Sequence, residues 1–277
     1  MMNQPNSPIA KNYYAQDAWD VDSWLQVITV EYKSLVEAYP FDRKLRRFSQ
    51  KGSINLLDIG CGTAIFPSYL DRHLSENVHF ACTLLDVSKA SLEQAAGVLS
   101  RLEHFTVDRW VQSLIEGIPT TLAGNTDAYD VIWAIHSFTT VDVHRMEDVY
   151  VHLLDSLADG GYLYIYQLAA RSAYQKLHKR YRAQHPNGKN IARFMEFEDT
   201  KRILDSIGRD YEVYELFFYH EISDSQPDLL EKYLRKCILD DSVNVQSFFR
   251  AELEEFHEQE QRQYRFPQYV NFVVVER

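Results

Sequence analysis

The run Leu56-Leu57-Asp58-Ile59-Gly60-Cys61-Gly62-Thr63-Ala64 constrains this chain more than any other segment. Apolar residues stop at an acid, and two glycines follow, one residue apart. That order predicts a short buried strand running into a tight turn, because glycine accepts the positive φ that such a turn requires. Glycine also lets backbone approach a ligand closely, since no Cβ stands between them. A helix starting near Thr63 would aim its N-terminus at whatever the turn holds. The pattern predicts a cradle for a nucleotide-like molecule. A dinucleotide fits poorly: its fingerprint has a third glycine three residues after the second, and Ile65 stands there.

Downstream segments extend the pattern. The run from His79 to Leu85 reads as a second strand ending at Asp86, some two dozen residues past the glycines. An acid there binds ribose hydroxyls in nucleotide-binding α/β folds, and it can also cap the next helix, as can Ser88. The run from Ala128 to His136 reads as a fourth strand. From Leu153 to Ile165 follow a helix, a Gly160-Gly161 turn and a fifth strand. Together these segments resemble the motifs of class I S-adenosylmethionine (SAM) methyltransferases. The resemblance implies an α/β, Rossmann-like fold with a seven-stranded, mainly parallel sheet and SAM as cofactor. It places the methionine part of SAM at Gly60 and Gly62, with Asp58 organising the turn and the ligand amine. Many members of that family carry glycine where this chain has Ala64.

The 277 residues suffice for one domain with a full core and a small cap. Helical periodicity runs from Tyr13 to about Phe48 and is broken by Pro40. Strands are expected near 54–59, 79–86, 104–110, 129–135 and 161–167; their alternation with helices predicts a mainly parallel sheet. A basic helix follows from Ser172 to Arg182, then a helix from Asp199 to Ile207. Two further strands are expected, from Tyr211 to Tyr219 and from Tyr269 to Glu276. Between them lie about fifty residues, with helices from Asp228 to Leu239 and from Val245 to Arg262. A structured insertion of this length is usually functional. The division is therefore 1–48 as helical cap, 49–224 as SAM-binding core, 225–265 as helical lid and 266–277 as the last strand of the core sheet.

The second half is similar to the histamine N-methyltransferase family. The likeness rests on Lys176-Leu177-His178-Lys179-Arg180-Tyr181, on His185-Pro186, on a helix ending Leu204-Asp205-Ser206-Ile207-Gly208, on Tyr211-Glu212-Val213-Tyr214-Glu215-Leu216 and on the run from Gln268 to Glu276. It implies SAM contacts at Gly60, Asp86, Ser91, Gln112 and Ile135, with Gln112 at the adenine. Acceptor-side places fall on His136, Thr140, Tyr174, His178, Ala192 and Gln268. There the family has glutamine, tyrosine, two tryptophans, cysteine and asparagine in turn, so its histamine pocket is not preserved. Glu31 is the nearest candidate for the family's amine-holding glutamate, although its own context reads as a solvated helix residue.

Methyl transfer from a sulfonium is an in-line displacement, which needs a lone pair about 3 Å from the methyl carbon and exclusion of water. An amine acceptor must be neutral, and the sulfonium itself disfavours a nearby ammonium. A hydroxyl or carbon acceptor gains more from a base. His136 follows the fourth strand at the carboxyl edge of the sheet, where ligands bind in such folds. With a reference pKa of about 6.5 it can take a proton, or it can line the wall and hydrogen-bond the acceptor. Aromatic residues of the cap and lid, Tyr14 and Trp19 among them, suit a flat or cationic molecule.

The expected activity is methylation of a small molecule at the nitrogen of an amine or heterocycle. O- or C-methylation of a natural-product scaffold, or SAM binding without methyl transfer, are the alternatives. A net charge of −11 opposes a nucleic-acid surface, and His136-Ser137-Phe138-Thr139 is not an Asn-Pro-Pro-Tyr motif. Cys61, Cys82 and Cys237 are too scattered for a disulfide framework, and no CxxC pair points to zinc, so no metal is expected. A polar N-terminus and the lack of a long apolar stretch point to a cytoplasmic protein that binds no membrane, and a monomer or weak dimer is expected.

Overall fold

A computed structural model describes residues 21–123, 128–186, 188, 191–240 and 242–277. Helix α1 spans Val21–Ala38. Its apolar stripe runs through Val27, Ile28, Tyr32, Leu35 and Val36, all buried. Pro40 ends it and opens the five-residue α2, Phe41–Leu45, as a residue without an N–H does at a helix start.

The sheet begins with β1 (Ile54–Ile59), β2 (Phe80–Asp86), β3 (Phe105–Gln112), β4 (Tyr129–Ile135) and β5 (Leu157–Leu168). Between them run α3 (Ile65–Leu70), α4 (Lys89–Leu99), the short α5 (Ile118–Thr121) and α6 (Met146–Asp155). Helices α7 (Ala173–Gln184) and α8 (Phe197–Ser206) lead to β6 (Glu212–Ser223). An insertion follows, made of α9 (Pro227–Ile238), α10 (Val245–Phe248), α11 (Arg250–Phe256) and the two-residue β7 (His257–Glu258). The final strand is β8 (Gln263–Glu276).

The sheet order is β3-β2-β1-β4-β5-β8-β6, with β7 an eighth strand paired to β8. Neighbours from β3 to β5 are parallel, and β8 runs antiparallel between β5 and β6. Both faces of the sheet are covered, so its inner strands read as near-continuous apolar runs. Leu56, Leu84, Val131 and Trp133 pack on one face, and Leu57, Leu85, Ile132 and Ala134 on the other. Gly160, at φ +69°, and Gly161 sit inside β5 rather than in a turn before it; the strand starts at Leu157 and shifts register opposite Tyr129–Val131.

The insertion is shorter than its sequence suggested, because β6 and β8 extend as a paired hairpin to Ser223 and Gln263. Its second helix does not reach Arg262. It breaks at Phe249 and ends at Phe256, and His257–Glu258 then pair with Tyr264 and Gln263. In the acidic run from Glu252 to Glu260, Leu253 and Phe256 are buried and Glu252 meets Arg180 at 2.8 Å. Helix α9 packs on α7 and α1 through Leu230, Tyr233, Leu234, Cys237 and Ile238. No helix among the described residues is long and apolar enough to cross a membrane.

The chain leaves β1 toward β2 on one side, while β4 lies on the other. This reversal of strand order opens a crevice beyond the carboxyl ends of β1 and β4, the place where ligands bind in open α/β sheets.

Candidate active site

The glycine turn forms one wall of that crevice. Gly60 and Gly62 take φ of +63° and +51°. A Cβ on Gly60 would lie 2.5 Å from the Ser137 Cβ, so only glycine lets the turn touch the loop after β4. Ala64 adopts φ +59° with its side chain buried, which costs an alanine about 1–2 kcal/mol where a glycine would be relaxed. Helix α3 starts at Ile65 rather than near Thr63 and runs only six residues, so its dipole is short.

Two carboxylates organise the turn. Asp86 accepts the Gly62 N–H on Oδ2 at 3.0 Å and the Ser88 N–H on Oδ1 at 2.9 Å. The cap of α4 is Ser88, whose hydroxyl accepts the Ser91 N–H. Burial raises the Asp86 pKa, and the backbone donors pull it back. Asp58 is 5% exposed. Its pKa is pushed up to about 7 by burial, with the Asp86 charge adding and a hydrogen bond from Trp133 opposing. A cationic amine beside it would restore the carboxylate.

A cavity of about 480 Å³ runs along the crevice, within the range of roughly 300–1,000 Å³ for small-molecule sites. Asp58, Gly60, Gly62, Asp86, Ser91 and Ile135 all line it. Gln112 does not. Its amide donates to Val87 O at 3.1 Å from an exposed position at the end of β3. The wall beyond β3 is built instead by Ser113, Leu114, Ile115 and Glu116, where the chain turns inward.

At the other end of the cavity stands His136, at φ +62° directly after β4. Its ring packs edge-on to Tyr32 and Tyr166. Its Nε2 lies 2.9 Å from Glu31 Oε2, off the line of an ideal hydrogen bond. Glu31 is 1% exposed, contrary to its reading as a solvated residue. The spacing held the clue: Glu31 is three residues after Ile28 and four before Leu35, on the apolar stripe of α1. Glu31 also accepts the Tyr166 hydroxyl at 3.0 Å and pairs with His220 Nε2 at 2.6 Å. Burial alone would raise its pKa, but the imidazoles of His136 and His220 hold it well below the usual carboxylate range.

Thr140 and Tyr174 line the cavity. His178 and Gln268 do not. His178 stacks on Phe194 at 3.5 Å and lies between the carbonyls of Ala192 and Cys237, clamping α9 to α7. Burial pushes its pKa down to about 4. Gln268 is wholly buried and donates to the Tyr233 hydroxyl at 3.1 Å, behind His220. Both side chains support the wall without reaching the cavity. Tyr14 and Trp19 lie outside the described residues. His220 and Lys236 line the cavity but carried no sequence signal beyond sitting among apolar neighbours. No group of three or more His, Cys, Asp or Glu side chains among the described residues is placed to hold a metal ion.

A family model for the methyltransferase domain matches residues 32–213. The chain belongs to that family. Solved structures of similar fold agree with this methyltransferase assignment. The chain is similar to the YcgJ protein of Bacillus subtilis at 12% identity and TM-score 0.54, covering 85% of this chain and 98% of that one. It is similar to the plantazolicin methyltransferase BamL, solved with S-adenosylhomocysteine (SAH), at 16% identity and TM-score 0.51, covering 97% and 94%. It is also similar to magnesium protoporphyrin IX methyltransferase from Synechocystis PCC 6803, solved with SAH, at 12% identity and TM-score 0.50, covering 97% and 98%. No curated protein matches in sequence.

The methyltransferase uses SAM, and the residues present fit it. The open side of Gly62, where a Cβ would meet nothing within 4 Å, leaves backbone room for the methionine part. The buried acid Asp58 suits an ammonium, and Asp86 keeps unused lone pairs for hydroxyls.

Proposed function

We propose that this methyltransferase acts on a small molecule at the nitrogen of an amine or heterocycle, and that His136 takes the proton that nitrogen loses. The observation that carries this reading is the 2.9 Å approach of Glu31 Oε2 to His136 Nε2. A carboxylate facing Nε2 favours the ring proton on that nitrogen, and a neutral ring so oriented has its Nδ1 lone pair to accept another. When bound, SAM supplies an electrophilic methyl group on a sulfonium. His136 then stands at the end of β4 with about a fifth of its side chain open to the cavity. Tyr32, Tyr174 and the rest of the aromatic wall exclude water and suit a flat acceptor.

Two further points support a small acceptor. The plantazolicin and magnesium protoporphyrin enzymes act on natural products by their names. The resemblance read from the sequence motifs to the histamine N-methyltransferase family, which the comparisons do not show, would imply nitrogen with a changed pocket. The division into a cap (1–48), a core (49–224 and 266–277) and a lid (225–265) belongs to the same reading, with α1 and α9 closing the acceptor end. A hydroxyl acceptor is the second reading, favoured by the same His136–Glu31 pair, because a hydroxyl needs a base more than an amine does.

The test is SAH formation with a panel of aromatic amines, heterocycles and phenols, followed by product NMR to locate the methyl group. Methylation confined to oxygen would replace the first reading by the second. Turnover unaffected by Glu31→Gln would remove the proton-transfer role.

A further inference from the structure

The buried carboxylate of Glu31 has a second imidazole behind it. His220 sits on the inner face of β6, where Phe218, His220 and Ile222 are buried and alternate with more open positions. It borders the cavity with only 1% of its surface exposed. Both ring nitrogens are engaged: Nε2 lies 2.6 Å from Glu31 Oε1, and Nδ1 lies 3.1 Å from the Tyr233 hydroxyl of α9. The same hydroxyl accepts Gln268 Nε2 from β8 at 3.1 Å, and that amide also donates to Phe266 O at 3.3 Å. Phe266 is the residue paired with His220 across the hairpin. The ring is held between α1 and α9, with β8 behind it, and has no nitrogen left to offer a substrate.

Glu31 needs such a hold. The last torsion of a glutamate is broad, so the side chain by itself does not decide which way its two oxygens face. Each oxygen has its own partners here: Oε1 meets His220, while Oε2 accepts the Tyr166 hydroxyl at 3.0 Å and faces His136 at 2.9 Å. We propose that His220 is a positioning residue for the methyl transfer: by holding Oε1 it turns Oε2 to His136, and so it sets which nitrogen of His136 carries the ring proton. The inference rests on the His136–Glu31 reading given above and extends it to a residue that touches neither cofactor nor acceptor. Burial alone would raise the Glu31 pKa, and the imidazoles of His136 and His220 together hold it down. Without His220, one oxygen of a buried carboxylate loses its partner, which is costly. The carboxylate then turns to recover a donor, and His136 loses the preference that keeps its Nδ1 lone pair open to the acceptor.

The experiment is long-range proton–nitrogen NMR of the SAH-loaded protein labelled at histidine, at about pH 9, above the reference histidine pKa of about 6.5. The His136 signal is identified by its loss in His136→Gln. The wild type should carry the His136 proton on Nε2. His220→Asn keeps an amide near Tyr233 but stops short of Glu31, and should give a mixture of the two tautomers. His220→Gln carries an amide N–H out to the place of Nε2 and should restore the wild-type signal. With the compound of the panel above that yields most SAH, kcat should fall about tenfold or more in His220→Asn and stay within about threefold in His220→Gln, with KM within about threefold in both. SAH affinity serves as the folding control, and His220→Leu replaces His220→Asn if the latter fails it. An unchanged His136 signal or unchanged turnover in His220→Asn, a mixture that His220→Gln does not reverse, or a loss in KM instead of kcat would overturn the proposal. Those results would leave the His136–Glu31 reading standing; that reading fails separately, through unaltered turnover in Glu31→Gln. A wild-type His136 protonated on Nδ1 would remove both.

Discussion

Glu31 Oε1 and His220 Nε2 lie 2.6 Å apart, joining the first described helix to a strand 189 residues further along the chain. The other oxygen of the same carboxylate faces His136. A single buried acid therefore ties the cap, the end of β4 and the sheet edge at β6 into one wall of the cavity. Most of the expected behaviour of the site follows from that carboxylate and the two at the glycine turn.

Replacing Glu31 by Gln removes the charge and keeps the shape. Turnover should fall about 10²–10³-fold, within the range for losing assisted proton transfer, while SAH affinity changes less than threefold. Glu31→Ala should also destabilise the fold by about 3–5 kcal/mol, as when one partner of a buried ion pair is removed. Steady-state kinetics and urea melts check both, and a Glu31→Gln enzyme at full speed would contradict the first.

His136→Gln separates the two roles of that ring. Glutamine can hydrogen-bond an acceptor but cannot take a proton at neutral pH. The variant should keep KM within a few-fold and lose kcat at least 100-fold. Recovery of most of the activity by glutamine would make His136 a wall residue only.

Asp86→Ala removes the acceptor of the Gly62 N–H and the expected ribose contact together. SAH binding should weaken at least tenfold, since a hydrogen bond to a charged group contributes about 1.5–3 kcal/mol. Calorimetry on the folded variant decides it; unchanged affinity would move the ribose elsewhere.

Asp58 should make the cofactor-free protein sensitive to alkali. Its folded pKa of about 7 lies above the reference value of 3.8. The folded state therefore holds a proton that the unfolded state has lost, and the stability this confers disappears as pH rises through 7. The linked change is of the order of 4 kcal/mol between pH 4 and pH 8. The melting temperature of the wild type should fall over pH 6 to 8, whereas that of Asp58→Asn should stay flatter. Saturating SAM should suppress the fall. Parallel pH profiles for the two proteins would show that Asp58 ionises normally.

The cofactor half of the site was legible because its signals are local. Asp58, Gly60 and Gly62 lie within five residues, and the backbone conformation they need is written in the glycines themselves. Asp86 could be placed because strand, turn and helix lengths fix how far along the chain the second strand ends. Gln112 does not line the cavity, whereas Ser113 to Glu116 do; register at the end of β3 depends on its pairing with β2, where the ladder slips between Cys82 and Thr83. His178 and Gln268 were assigned to the acceptor by position in a likeness. The structure gives their hydrogen bonds to α9 and to Tyr233 instead.

By itself the sequence determined the α/β alternation, the parallel core, the glycine cradle and the placing of His136 at the end of a strand. Each is set by periodicity or by the conformational needs of a few adjacent residues. Only the tertiary structure decided that Glu31, His136, His220 and Lys236 share one cavity. They lie on α1, after β4, on β6 and on α9, and no local pattern relates residues so far apart in the chain. Their meeting depends on how α1 and α9 pack across the sheet. Burial among apolar side chains then made charge on an ordinary helical glutamate and an ordinary lysine costly unless a partner meets it.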